Sequence, residues 1–477
     1  MKRLLLLGAA LLIAASPQTQ TTEKARAEHA LNRLAFGARP GDVERVMKIG
    51  VDRWIDEQLH PERIADTAVQ SKLAKYETLT MSSDEISKTF VKPFYEARRQ
   101  RKDKAKADFA EEAREMRKLI PAGQRPQRLL GELSAQRILR AAESERQLSE
   151  VMVDFWMNHF NVFAGKSIDR FLITSYERDT IRGHMWGRFE DLLMATAKSP
   201  AMLFYLDNAR SRSGAINENY ARELMELHTL GVDGGYAQKD VTELARVLTG
   251  WSISWGGPLA RRAAAGPAGR GTADQRSAPQ FIFRSAAHDQ GAKSVLGVKL
   301  SGGGIDEGER MIRVLATHPS TARHLATKLC QRLVADDPPP ALVDRVAKRF
   351  LDTRGDLRAT VRAVVESPEF FDPKYYRAKV KSPFEYAISA VRAAGATIDN
   401  PLPLARQLKT IGQPLYFAQP PTGYSDKAEA WSNNGALVAR LDFATALAAN
   451  KMPGVRVRTD DAVLLAKKLG GPEFQKQ

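Results

Sequence analysis

The chain has 477 residues, 43% hydrophobic and 27% charged, a soluble globular composition long enough for one large core or two domains. Its formal net charge of +16 favours anionic partners, such as phosphate, acidic glycans or anionic lipid head groups, without specifying one. A single cysteine, Cys330, excludes an internal disulfide, so stability has to come from the core.

The opening "MKRLLLLGAALLIAAS" has a basic start (Lys2, Arg3) and a twelve-residue apolar run from Leu4 to Ala15. Small residues then lead into polar "PQTQTTEK". This is the layout of a secretory signal peptide, too short to span a bilayer, with cleavage expected after Ala15. No later segment reads as a membrane span, so the chain is expected in the periplasm or outside the cell and not as an integral membrane protein.

Helical periodicity dominates the rest. "TEKARAEHALNRLAF" stops at Gly37; "PGDVERVMKIG" and "VDRWIDEQLHP" stop at Gly50 and Pro61. Residues 92–140 carry 14 Lys or Arg against 7 Asp or Glu. Opposite charges at helical spacing make a solvated helix the simpler reading, and a docking face for an anionic polymer the sharper one. "DFWMNHFNVF" sets Asp154 and Asn158 one helical turn apart, with His159 next in the chain. Residues 256–280 are rich in Gly, Ala, Pro and Arg without period, which reads as a flexible insert or linker. "FIFRSAAHDQGAKSVLGVKL" (281–300) predicts a β-hairpin with His288, Asp289, Gln290 and Gly291 at its tip. The helical run "HPSTARHLATKLCQRLV", "PALVDRVAKRFLDTRG", "DLRATVRAVVESPEFF" and "SPFEYAISAVRAAG" comes after it, with Cys330 as a small buried hydrophobe. The organisation is a signal peptide (1–15), a mainly α multi-helix domain with one small β-hairpin (16–455) and a C-terminal tail (456–477).

The segment "NENYARELMELHTLG" (217–231) is the most polar of the helices. At 100° per residue Tyr220, Ala221, Leu224, Met225 and Leu227 share one arc, while Glu218, Asn219, Arg222, Glu223 and Glu226 lie opposite. Glu218, Arg222 and Glu226 form an i, i+4, i+8 ladder. Asn217 reads as the N-cap. His228 falls inside the apolar arc, where a buried imidazole needs a partner. The short link "GVDGGY" predicts an antiparallel pair with "AQKDVTELARVLTGW", bringing Glu223, Glu226, Glu243 and Arg246 together.

This pair of helices resembles the signature of the domain-of-unknown-function 1800 family of exported bacterial proteins. "HALNRLAFGARPGDVERVMKIGVDRWIDEQLHP", "MVDFWMNHFNVF", "FEDLLMATAKSPAMLFYLDN", "FIFRSAAHDQGAKSVLG", "HPSTARHLATKL" and "GQPLYFAQPPTGYSDKAEAW" resemble further blocks in the family's order, over about residues 25–450. The resemblance implies a mainly helical exported protein without a settled activity. Its members often occur beside a second exported family with a phosphatase- or sulfatase-like fold, which suggests a partner protein. Two positions depart from the pattern. Ala237 stands where the family has Thr or Ser, removing a capping side chain worth about 1 kcal/mol. Arg188 stands where it usually has Asn.

The chain has no G-x-S-x-G elbow, Walker loop, C-x-x-C-H or G-x-G-x-x-G after a strand, so no cofactor is specified, and no nucleic-acid motif occurs. A metal site would need His159 with distant partners such as His228, Glu226 or His288. A hydrolase would have to use Glu223, Glu226, His228, His159 and His288 as acid–base groups, with Asn217, Asn219, Arg222, Arg246, Asp289 and Lys293 binding substrate. Two functions therefore stand side by side. One is an accessory protein holding an envelope partner or anionic polymer, favoured by the lack of a recognised catalytic constellation. The other is such a hydrolase.

Overall fold

Several helices begin at a side-chain cap. At Ser382 the hydroxyl accepts from the Glu385 N–H at 3.3 Å, and Glu385 Oε2 accepts from the Ser382 N–H at 2.8 Å, a reciprocal box with Pro383 in the first turn. The computed structural model describes residues 22–101, 118–254 and 279–477. The signal-peptide segment, nearly all of the 256–280 insert and much of the 92–140 charged stretch lie outside the described residues.

In chain order the helices that build the site and its surroundings are α1 (Glu23–Leu34), α2 (Pro126–Glu143), α3 (Gln147–His159), α4 (Asp169–Ser175), α5 (Asn219–Glu223), α6 (Gln238–Val247), α7 (Ile305–Ala316), α8 (Pro319–Leu333), α9 (Pro383–Ala393), α10 (Asn434–Ala448) and α11 (Ala462–Gly470). Two of these helices run on as π turns: α4 into Tyr176–Ile181 and α5 into Leu224–His228. Helix α3 buries 11 of its 13 residues, so it is wrapped on all sides and forms the centre of the molecule. One contiguous apolar core runs through the described residues, from Leu31 and Leu34 of α1 to Leu469 of α11, and takes in Cys330. The fold is mainly α, as expected. No described helix is long and apolar enough to cross a membrane.

The strands form three two-stranded antiparallel sheets among the described residues. Here the expected hairpin is corrected. β2 (Gln280–Phe283) pairs with β1 (Trp251–Ser254), while β3 (Lys293–Val295) and β4 (Val298–Leu300) make their own hairpin. Residues 288–291 therefore link two sheets instead of capping one. The true turn is Leu296 and Gly297, both at positive φ (49° and 76°), the signature of a tight two-residue hairpin. Leucine is a poor signal for such a turn, and so "HDQG" drew the assignment. The third sheet pairs Thr397–Ile398 with Val455–Arg456.

The segment read as a tail carries α11, packed on α10, and then runs beside the chain before α9. Gln477 exchanges backbone bonds with Lys379 (3.2 and 2.8 Å), and Lys381 donates to the Gln475 carbonyl at 2.9 Å.

Candidate functional site

The polar hairpin of α5 and α6 forms, with different contacts from those expected. Asn217 Oδ1 accepts from the Asn219 N–H at 2.9 Å, so Asn217 makes a turn before a helix that starts two residues later. Asn219 itself donates to the Leu206 carbonyl at 3.3 Å. The Glu218–Arg222–Glu226 ladder is present, at 3.3 and 3.7 Å. The two helices meet through Glu218, which accepts from Thr242 and Gln238 at 2.8 Å each. The expected grouping of Glu223, Glu226, Glu243 and Arg246 separates. Glu226 stays with Arg222, while Glu243 and Arg246 turn to Asp289, with Arg246 gripping that carboxylate at 2.9 and 3.0 Å. Glu223, half-buried, is pushed up by burial and then by Glu226.

His288, Asp289 and Lys293 close a second network. His288 Nδ1 donates to the Thr249 carbonyl at 2.9 Å, and its Nε2 lies 3.3 Å from Glu307 Oε2, which also accepts from Lys293 Nζ at 2.8 Å. Arg246 holds Asp289 down to about 2. Glu243 and Asp240 accept from the Ser294 and Leu296 N–H groups, tying β3 to α6. These side chains are spent on one another and on backbone. The contacts of His288 run to Thr249, Glu307 and the Phe283 ring, not to His159 or His228.

His159 and His228 do come together, their rings 6.1 Å apart, and His324 of α8 joins them 6.2 Å from His159. His159 Nε2 lies 3.2 Å from the His228 carbonyl and His324 Nε2 lies 3.1 Å from the Leu227 carbonyl. A carbonyl only accepts, so both Nε2 atoms carry the proton and both Nδ1 atoms are lone pairs. His159 Nδ1 and His228 Nε2 are buried without a partner. Burial, and then the charge of Lys328, push His228 down to about 3 and His324 to about 4, and push His159 well down too. All three imidazoles are neutral at neutral pH. Among the described residues no group of three or more His, Cys, Asp or Glu side chains is placed to hold a metal ion.

A further site is built on Asp154 and Asn158 of α3. A cavity of about 60 Å³ is lined by Arg137, Asp154, Arg332, Lys379, Glu385 and Asp426, with aromatic groups from the loop 413–431. Asn158 of α3 clamps this loop twice, donating to the Tyr424 carbonyl and accepting from its N–H, both at 2.7 Å. Asn161 donates to the carbonyls of Ala418 and Pro420 at 3.0 and 2.9 Å. The approach is so close that a Cβ on Gly423 (φ +69°) would sit 2.3 Å from Asn158 Oδ1. Tyr416 donates its hydroxyl to Glu177 at 2.6 Å. Arg332 is the hub: it reaches Asp154 at 2.9 Å, Glu385 at 3.0 Å and Asp426 at 3.5 Å, while Asp154 also holds Arg137 at 2.7 Å. Burial works to raise both carboxyls next to Arg332. At Glu385 the arginine, the Gln477 amide and the Ser382 N–H win, and it stays low; at Asp426 burial wins and the carboxyl is raised.

Sequence reasoning singled out "DFWMNHFNVF" for His159, and missed that its two asparagines hold a distant loop. It assigned no chemistry to "GQPLYFAQPPTGYSDKAEAW". On α8, His324, Lys328 and Arg332 stand at i, i+4 and i+8, a polar stripe that was legible within "RHLATKLCQR". No curated protein and no solved structure matches the chain. The sequence model described as "Protein of unknown function (DUF1800)" matches residues 29–477, nearly the whole length, and the chain belongs to that family.

Proposed function

We propose that the protein is an exported accessory protein whose cavity beneath the 413–431 loop holds a small polar group presented by an envelope partner. The observation that carries this is the clamped loop: four side-chain amide contacts from α3 and the residues just after it fix the loop over a chamber whose ionic groups face inward. Binding sites put loops on rigid scaffolds in this way. Three cations and three carboxylates line the chamber, so it suits a neutral or dipolar group better than a bare anion. The net charge of +16 supports an anionic polymer, or an acidic partner such as a phosphatase- or sulfatase-like protein, on the outer surface.

A hydrolase remains the second reading, favoured by one observation. Glu385 and Asp426 share Arg332 yet are driven in opposite directions, the pattern of an acid and a base in one site.

The test is capture from the envelope fraction with wild type and with Gly423→Ala, which pushes the loop off Asn158. A partner retained by wild type and lost from a folded Gly423→Ala protein supports the binding site. Equal capture by both removes the cavity from the proposal. Turnover of ester, phosphate or glycoside substrates that disappears in Asp426→Asn would replace binding with catalysis.

A further inference from the structure

Helices α10 and α11 pack side by side and carry an apolar surface that the described residues leave uncovered. Twelve large apolar side chains are exposed among those residues. Five of them, Leu437, Val438, Leu441, Val463 and Leu464, lie on these two helices, which hold only 15 and 9 residues. Single exposed leucines need no explanation, but such a concentration does. Val463 is the most exposed of the twelve, at 80%.

The five border one another. On α10, Leu437, Val438 and Leu441 fall within an arc about 100° wide. Asp442 is the one exposed charge of that helix, Arg440 being buried. A Cβ on Gly470 would sit 2.7 Å from Leu441 Cδ2, so Leu441 lies against α11. Val463 stands seven residues before Gly470, two turns away on the same side of α11.

Cations follow the apolar groups. Lys467 and Lys468 stand one turn after Val463 and Leu464. With Lys451 and Arg458 on the link between the helices, they make four exposed cations without an ion pair among the described residues. The acids there are Asp442, Asp460 and Asp461, and Asp461 is taken up as the cap of α11, accepting from the Leu464 N–H at 2.8 Å. Lys468 also lines an open groove of about 470 Å³ with Lys381 and Lys476. The buried Lys381 donates to the Phe474 carbonyl at 2.9 Å and has no carboxylate in contact among the described residues. Of the acids lining the groove, Glu473 is held by Arg377 at 2.9 Å, which leaves Glu28 and Glu44. Apolar groups with lysines one turn beyond them match the order in which a bilayer presents acyl chains and then phosphates. A second copy of the chain would instead bring cations to where these lysines need anions.

We propose that α10 and α11 seat the protein on an anionic phospholipid bilayer, with Leu437, Val438, Leu441, Val463 and Leu464 at the acyl boundary and the lysines on head-group phosphates. The contact is peripheral, since no described helix is long and apolar enough to cross. It is independent of the cavity beneath the 413–431 loop.

The experiment sediments the full protein with vesicles of phosphatidylglycerol and phosphatidylethanolamine, and with vesicles of phosphatidylcholine alone. Binding to the anionic vesicles is expected to be at least about tenfold tighter and to weaken in about 0.5 M salt. Amide hydrogen exchange across residues 434–470 should slow on those vesicles. Val463→Ser with Leu464→Ser, both at exposed positions, should weaken binding by about tenfold or more. Lys467→Gln with Lys468→Gln should do the same. Absent binding, or equal binding to both vesicle types, overturns the proposal. So does anionic binding that the serine pair leaves within about twofold of wild type. A wild-type dimer that the serine pair splits, read by sedimentation velocity, also overturns it and gives this face to a second copy.

Discussion

The α5–α6 hairpin and the α3–α8 interior are equally rich in polar side chains, yet they spend them differently. On the hairpin the charged groups meet one another: Glu218 with Arg222, Gln238 and Thr242, and Arg246 with Glu243 and Asp289. In the interior the network is incomplete. His159 Nδ1 and His228 Nε2 have no partner, Lys328 has no counter-ion in contact, and Arg332 is divided among three carboxylates. Density of charge marks both regions; among the described residues the hairpin helices leave only the Tyr220 hydroxyl buried without a partner, while the interior leaves two imidazole nitrogens.

The largest effect expected from breaking this contrast is at Arg332. Arg332→Met takes the arginine from the buried Glu385 and Asp426, leaves Asp154 with Arg137 alone, and should cost about 3–5 kcal/mol in urea unfolding. A loss below about 1 kcal/mol would place this network with ordinary surface pairs.

Next comes acid. His228 and His324 titrate near 3 and 4 in the folded chain, below the unfolded value of 6.5, so the unfolded chain takes up protons first. Stability is therefore full above about pH 6.5 and falls as pH drops through 6.5 towards those values, by up to about 1.4 kcal/mol per pH unit for each histidine. His228→Gln should flatten that slope, read from melting temperatures at pH 4 to 7. A slope unchanged by the substitution would mean that the imidazole is not buried neutral.

The smallest effect belongs to the completed region. Ala237 keeps only half of its cap: its N–H donates to Asp240 at 2.9 Å, but no side chain returns the bond. Ala237→Ser should add about 0.5–1 kcal/mol in urea unfolding. A loss of stability would mean that the serine hydroxyl does not take up the cap.

Much of the fold was legible in the sequence because helix signals are local. Ser382 with Pro383 and Glu385, and the glycine stops, declare their helices within a few residues. The partner of a strand is not local. β2 pairs with β1 from across residues 255–278, and nothing in "QFIF" names that partner. In the central segment the ordinary ladder and the burial of His228 were both legible, since each depends on helical spacing alone; His159 was named beside it only as part of a metal or hydrolase site, on residue type and not on spacing. The cavity was not legible. Asn158 and Tyr424 are 266 positions apart, and no period or spacing announces that an asparagine will bond a backbone so distant. Asp154, Arg332 and Glu385 each look like a charge on an amphipathic helix until the helices are packed.

The π turn at Leu224–His228 has a consequence for how the gene can change. Its extra residue sets the carbonyls of Leu227 and His228 where His324 and His159 take them up, and those two bonds fix which ring nitrogens bear protons. Deleting a single codon within the turn would return it to α winding and move those two carbonyls off His159 and His324. Conservative substitutions can accumulate in this turn, but a one-residue deletion would change the protonation pattern of a site tens of residues away.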